Sequence, residues 1–234
     1  MRIISALILL TCLCSAPAFA ETSSFKEIKT LPLKQAFDTA KDWYVTAFQP
    51  EGSISEDEDA RTGDVSAKLC FWSEPDRKQE HCTSITSGLP NGGMTYHYQT
   101  VKELAVIPTP HIVEFIAEFY GNGSGSLRQI SFWRYEKTTD SFSQAGLVTL
   151  TEQGEYKLLD QMLITADERW GEGESHFSPH QFDVTAYRYT PASGYAKAFS
   201  YLTARKYPSL DDVDTIDVIS HELPEIKKRL GISQ

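Results

Sequence analysis

A mainly β fold is predicted for this chain: an antiparallel β-sandwich or a propeller-like assembly of about three strand-loop-strand-turn-strand repeats, with a short N-terminal helix and C-terminal helices. Three observations predict it. Residues 163–189 hold two apolar-aromatic runs joined by a loop rich in glycine, acids and histidine. Residues 115–135 carry the same order of parts, so that Ala117 answers to Ala166, Tyr120 to Trp170, Gly121 and Gly123 to Gly171 and Gly173, and Trp133-Arg134-Tyr135 to Tyr187-Arg188-Tyr189. A fainter third unit starts at Trp43 and matches in pattern without identity. Units of a few strands repeated along a chain build stacked or radially arranged antiparallel sheets.

Residues 1–20 combine a basic start at Arg2, an apolar run from Ile3 to Leu13 and small residues at Ala18 and Ala20, the pattern of a secretory signal peptide cleaved near Ala20. A periplasmic or secreted protein is therefore expected, with residues 21–234 forming a single exported β-rich domain, long enough for one sizeable core. No later stretch approaches the roughly 20 apolar residues of a membrane-spanning helix.

Residues 21–29 are polar and read as a frayed end. Thr30-Leu31-Pro32 then reads as the start of a short helix, with Leu33, Phe37 and Ala40 on one face up to Lys41. Residues 43–48 (WYVTAF) are strand-like by their aromatic and branched side chains, and 49–64 form an acidic loop. Strand character resumes at 67–72, turns through Glu74-Pro75-Asp76 and returns from Cys82. Cys70 and Cys82 are equidistant from Asp76, so a hairpin folding there sets them opposite each other, and an oxidising compartment makes them a cross-strand disulfide.

Residues 87–93 read as a turn-rich connector, 96–107 as a β segment, and Pro108-Thr109-Pro110 as a break. The repeats are thus placed at about 43–107, 112–160 and 161–207, with inner turns at 138–141 and 191–194. Residues 208–234 are expected to be a helical closure that covers a sheet edge. Ser209-Leu210-Asp211-Asp212 resembles one helix start; 222–230 forms a second helix, with Pro224 near its first position, Lys227, Lys228 and Arg229 in its last turn and Gly231 as the stop. The order of parts is loosely similar to integrin-type FG-GAP blades but lacks their Asp-x-Asn-x-Asp-Gly calcium loop, so it assigns no family.

The chain has 22 basic and 32 acidic residues, a formal charge of −10. Removing Arg2 with the leader leaves 21 against 32, or −11. Such a surface repels phosphate backbones, which disfavours nucleic acid, and favours a basic partner. The densest polar stretch is 167–180, with Asp167, Glu168, Glu172 and Glu174 beside His176 and His180. It reads first as a solvated connection whose acids and histidines bond its own backbone. As a metal site it would use Glu172, Glu174, His176 and His180, but Gly173 and Pro179 oppose the helix that a His-x-x-x-His pair needs, so no metal or cofactor is assigned.

The glycine run 121–126 lacks the following helix of a phosphate loop and the Gly-x-Ser-x-Gly frame of a nucleophilic serine. No catalytic residue is assigned. The leading expectation is an exported binding or inhibitory module that recognises a basic protein, such as a cell-wall hydrolase or a toxin, through Trp170, Glu172, Glu174, His176 and His180. The alternatives are an enzyme acting on a cell-envelope polysaccharide or peptidoglycan through 167–180, with Glu168 its best acid, and a structural envelope protein without a discrete site.

Overall fold

The computed structural model describes residues 25–51, 67–74, 79–84, 96–121, 126–175, 177–209 and 217–232. Within them the chain forms three four-stranded antiparallel sheets, each a meander in which successive strands are neighbours. Sheet one holds β1 (Phe25–Pro32), β2 (Trp43–Pro50), β3 (Lys68–Ser73) and β4 (Gln79–Ser84), with the one-turn helix α1 (Lys34–Phe37) between its first two strands. Sheet two holds β5 (Tyr96–Ile107), β6 (Ile112–Gly121), β7 (Ser126–Glu136) and β8 (Ser141–Thr151). Sheet three holds β9 (Glu155–Leu159), β10 (Met162–Arg169), β11 (Gln181–Thr190) and β12 (Gly194–Leu202), and the helix α2 (Val218–Leu230) comes after it.

Strand periodicity decides how these layers stack. On β6, Val113, Phe115, Ala117 and Phe119 join one core cluster with Val45, Leu69 and Phe71 of sheet one. The intervening Ile112 and Ile116 join another with Leu163 and Tyr189 of sheet three. Sheet three repeats the division, since Ile164, Ala166, Phe182, Val184 and Ala186 turn to Val218, Ile219 and Ile226 of α2. Alternate side chains leave a strand on opposite faces, so the sheets lie face to face with the helix as a fourth layer. Fully burying a side chain such as Phe71 or Phe115 stabilises the fold by about 1.5–3 kcal/mol. No closed barrel or propeller ring is present among the described residues, and no helix there is long and apolar enough to cross a membrane.

Several elements differ from the sequence reading. The supposedly frayed end is a strand from Phe25, because β1 is an edge strand that gains order from its ladder with β2 and has little burial to advertise it. The helix expected up to Lys41 is only four residues long. Asp38 takes a left-handed conformation (φ 51°) at its end, and the Leu33 amide donates to the Trp43 carbonyl at 2.8 Å, drawing the chain back to β2. Pro108-Thr109-Pro110 is a hairpin turn between paired strands instead of a break, so β5 belongs in one sheet with β6. The sheets accordingly span 25–84, 96–151 and 155–202, each starting one strand before the repeats placed from sequence.

At the C-terminal end, α2 starts at Val218 with Asp217 as its cap, accepting from the Ser220 amide at 3.2 Å, which leaves Pro224 inside the helix. Its first residues, Val218 and Ile219, are branched at Cβ and only modest helix formers, and they are buried against sheet three. Gly231 ends it as expected, at φ 68°. Of the helix start expected at 209–212 only Ser209 is described, and it is buried; 210–212 and residues 122–125 of the glycine run fall outside the described residues. The disulfide is present: Cys70 and Cys82 pair directly across β3 and β4, with Cα atoms 4.1 Å apart.

Candidate functional site

The segment singled out from sequence divides into two structural parts. Asp167, Glu168 and Arg169 still belong to β10, and only 170–180 forms the loop to β11. Asp167 points between sheets two and three, where its carboxylate accepts from the Thr151 amide at 2.8 Å and hydroxyl at 2.7 Å. Burial raises its pKa above the ordinary carboxylate value, against the downward pull of those bonds. It therefore ties the turn after β8 and is only partly exposed. Glu168 is half-buried, with Oε2 lacking a hydrogen-bond partner among the described residues. Arg169 forms a two-pronged pair with Asp183 on the adjacent strand, at 2.7 and 2.8 Å.

The loop itself is organised by Glu174. One carboxylate oxygen accepts from the Gly171 amide at 2.6 Å and faces His180 Nδ1 at 3.1 Å, while the other accepts from Lys206. The Lys206 hydrogen bond and then the Gly171 amide hold the Glu174 carboxyl well down, to about 2. Gly173, at φ 78°, makes the reversal that brings Glu174 back over Gly171. Ser175 and Ser178 close a second small turn through the Ser178 amide to the Ser175 carbonyl at 2.9 Å.

His180 is the buried end of this network. It is fully enclosed, and its backbone exchanges both hydrogen bonds with Tyr207, at 2.9 and 2.7 Å. Its Nε2 has no hydrogen-bond partner among the described residues. The Trp170 ring lies 4.9 Å from the His180 ring, so the imidazole seats an indole that remains 47% exposed. The Tyr207 hydroxyl donates to Glu222 at 2.6 Å, and Tyr201 bonds the same carboxylate at 3.1 Å, which couples the loop's base to α2.

The structure thus brings Trp170, Glu174 and His180 together and leaves Glu172 exposed at the tip, without an ion pair among the described residues. His176 lies outside the described residues. No group of three His, Cys, Asp or Glu side chains converges for a metal among the described residues, because Glu174 and His180 meet each other while Glu172 faces water. Two side chains of this loop and its network escaped the sequence reading. Lys206 neutralises Glu174 from more than thirty positions away, a pairing with no local signal. Phe177 is 70% exposed in the same loop. An aromatic residue set among serines and histidine in a polar loop was the signal that could have found it.

No family model matches this chain, and neither a curated protein nor a solved structure matches it.

Proposed function

We propose that the protein is an exported, periplasmic binding or inhibitory module that engages a basic protein partner through the 170–180 loop. The observation that carries this reading is the pre-ordered loop: three hydrogen bonds on the Glu174 carboxylate brace a segment from which Trp170 and Phe177 stand out, 47% and 70% exposed. An ordered loop spends less conformational entropy on association, and a large aromatic is the usual anchor of an interface. The formal charge of −10 speeds encounter with a cationic partner, such as a cell-wall hydrolase or a toxin. The Cys70–Cys82 disulfide suits an oxidising compartment.

Within this reading the acids have different roles. Glu174 is already engaged by Lys206 and acts as an internal brace, so the acid available to a partner's lysine or arginine is Glu172. Trp170 anchors on its His180 seat. Affinity capture from a periplasmic extract supplies the partner, and surface-binding kinetics with the purified pair test the interface. Trp170→Ala is expected to raise the dissociation rate by about thirtyfold, the equivalent of about 2 kcal/mol for a central aromatic. Glu172→Gln slows association and flattens its salt dependence. Unchanged rates in both variants would place the interface elsewhere, and cleavage of peptidoglycan abolished by Glu168→Gln would replace this reading with an enzymatic one.

A further inference from the structure

A cleft of about 440 Å³ lies where the edge of sheet three meets the last turn of α2. Arg188 and Thr190 of β11, Lys197 and Phe199 of β12, and Arg229 and Leu230 of α2 line it. Three of its lining side chains are cationic and none is acidic, in a chain whose acids outnumber its bases 32 to 22. The cations at the end of α2 have an ordinary explanation, since Lys227, Lys228 and Arg229 offset the helix dipole. That explanation does not reach Arg188 and Lys197, which rise from the sheet, are exposed, and have no ion pair among the described residues.

The local sequence explains the hollow. Pairing on β12 slips between Ala186 and Tyr187, whose partners are Phe199 and Lys197, so Ala198 is an extra residue on the edge strand. A bulge of this kind re-aims the side chains around it. The short side chains of Ala196 and Ala198 leave the space unfilled, while Phe199 and Leu230 pack on the core beneath α2 and give the cleft a fixed apolar floor. Arg229 is held in place as well, stretched over the Tyr201 ring at 4.4 Å with Nε donating to Glu225 at 2.8 Å. Its other guanidinium nitrogens have no hydrogen-bond partner among the described residues.

We propose that this cleft binds a phosphate monoester or diphosphate, with Arg188, Lys197 and Arg229 as its donors. Arginine forks match the oxygens of a phosphate, and a doubly charged group can use the several cations that line one cleft where a single carboxylate would leave some unpaired. The apolar floor of Phe199 and Leu230 receives the body that carries the phosphate. The phosphate can come from a soluble compound or from a lipid headgroup, and the two sources are separable.

The test uses the full exported chain, inorganic pyrophosphate in a calorimeter, and sedimentation with phosphatidylcholine vesicles prepared with and without phosphatidic acid. Saturable binding of pyrophosphate is expected, weakened about tenfold by Arg188→Gln and again by Lys197→Gln. Lys26→Gln with Lys29→Gln, an equal loss of positive charge on β1, is the control and leaves binding unchanged. Binding confined to phosphatidic-acid vesicles, with the same response to the variants, upholds the site and assigns the phosphate to a lipid. Failure to bind either probe, or equal weakening by the control pair, overturns the proposal. All four side chains are exposed, so the variants fold, and an unchanged melting curve verifies it.

Discussion

Gly194→Ala is the substitution that most directly tests how sheets two and three are joined. Gly194 begins β12 with φ 71°, and a Cβ built there would stand 2.2 Å from the Ala145 carbonyl oxygen and 2.8 Å from its carbon and Cα. Those atoms are backbone of β8 and have no rotamer through which to retreat. The left-handed conformation alone costs an alanine about 1–2 kcal/mol. Relieving the clash means lifting the β11–β12 hairpin away from β8, against Arg134, which reaches across to the carbonyls of Pro191 and Ala192. Overpacking of this kind costs about 1–3 kcal/mol more.

The expected total is about 2–5 kcal/mol, which at a urea dependence of about 2 kcal/mol per molar moves the unfolding midpoint down by about 1–2.5 M. Gly231→Ala is the internal reference: φ is 68° there, yet no atom lies within 4 Å of the added Cβ, so only the conformational cost is present. Urea titrations of the two variants, followed by tryptophan fluorescence, separate the contributions. Equal midpoints for Gly194→Ala and Gly231→Ala would refute the claim that the hairpin's contact with β8 sets the seam.

Replacing Cys70 and Cys82 with serine removes a link across a separation of 12 residues, for which the chain-entropy relation gives a loss of about 3 kcal/mol, measurable by urea unfolding. Glu174 is held below its ordinary 4.5, so its contribution to the loop is complete above pH 4.5 and is lost as pH falls to about 2. Trp170 emission should therefore change late in an acid titration, and at a higher pH in Lys206→Met. Glu114 behaves in the opposite sense: it is 4% exposed and burial raises its pKa, so the fold loses stability as pH rises above 4.5 and this carboxyl ionises. Glu114→Gln can still accept from Tyr156, which reaches Glu114 Oε1 at 2.9 Å. It should be more stable than the parent at neutral pH and equal to it in acid, by thermal melting at both.

Much of this protein is legible in its sequence because much of it is local. Branched and aromatic runs separated by turn residues announce the strands of sheets two and three, and the turns at 138–141 and 191–194 lie where their polar residues place them. The disulfide was legible for a related reason, since two cysteines equidistant from a turn must meet if the hairpin forms. Nothing local reveals which strands share a sheet. The free energy of β1 lies in its ladder with β2, the value of β5 as a first strand lies in its pairing with β6, and Val218 and Ile219 become helical because sheet three needs a cover.

The candidate sites divide in the same way. The sequence displayed an acidic loop with an aromatic at its edge, but only tertiary contact turned Glu174 inward to Lys206, enclosed His180 beneath Trp170, and left Glu172 and Phe177 facing solvent. The cationic cleft is wholly a tertiary product, because Arg188, Lys197 and Arg229 come from three elements and nothing in the sequence links them to one another. Charge interactions depend on distance in space and not along the chain, so an ion pair between remote positions leaves no periodicity for a sequence to show.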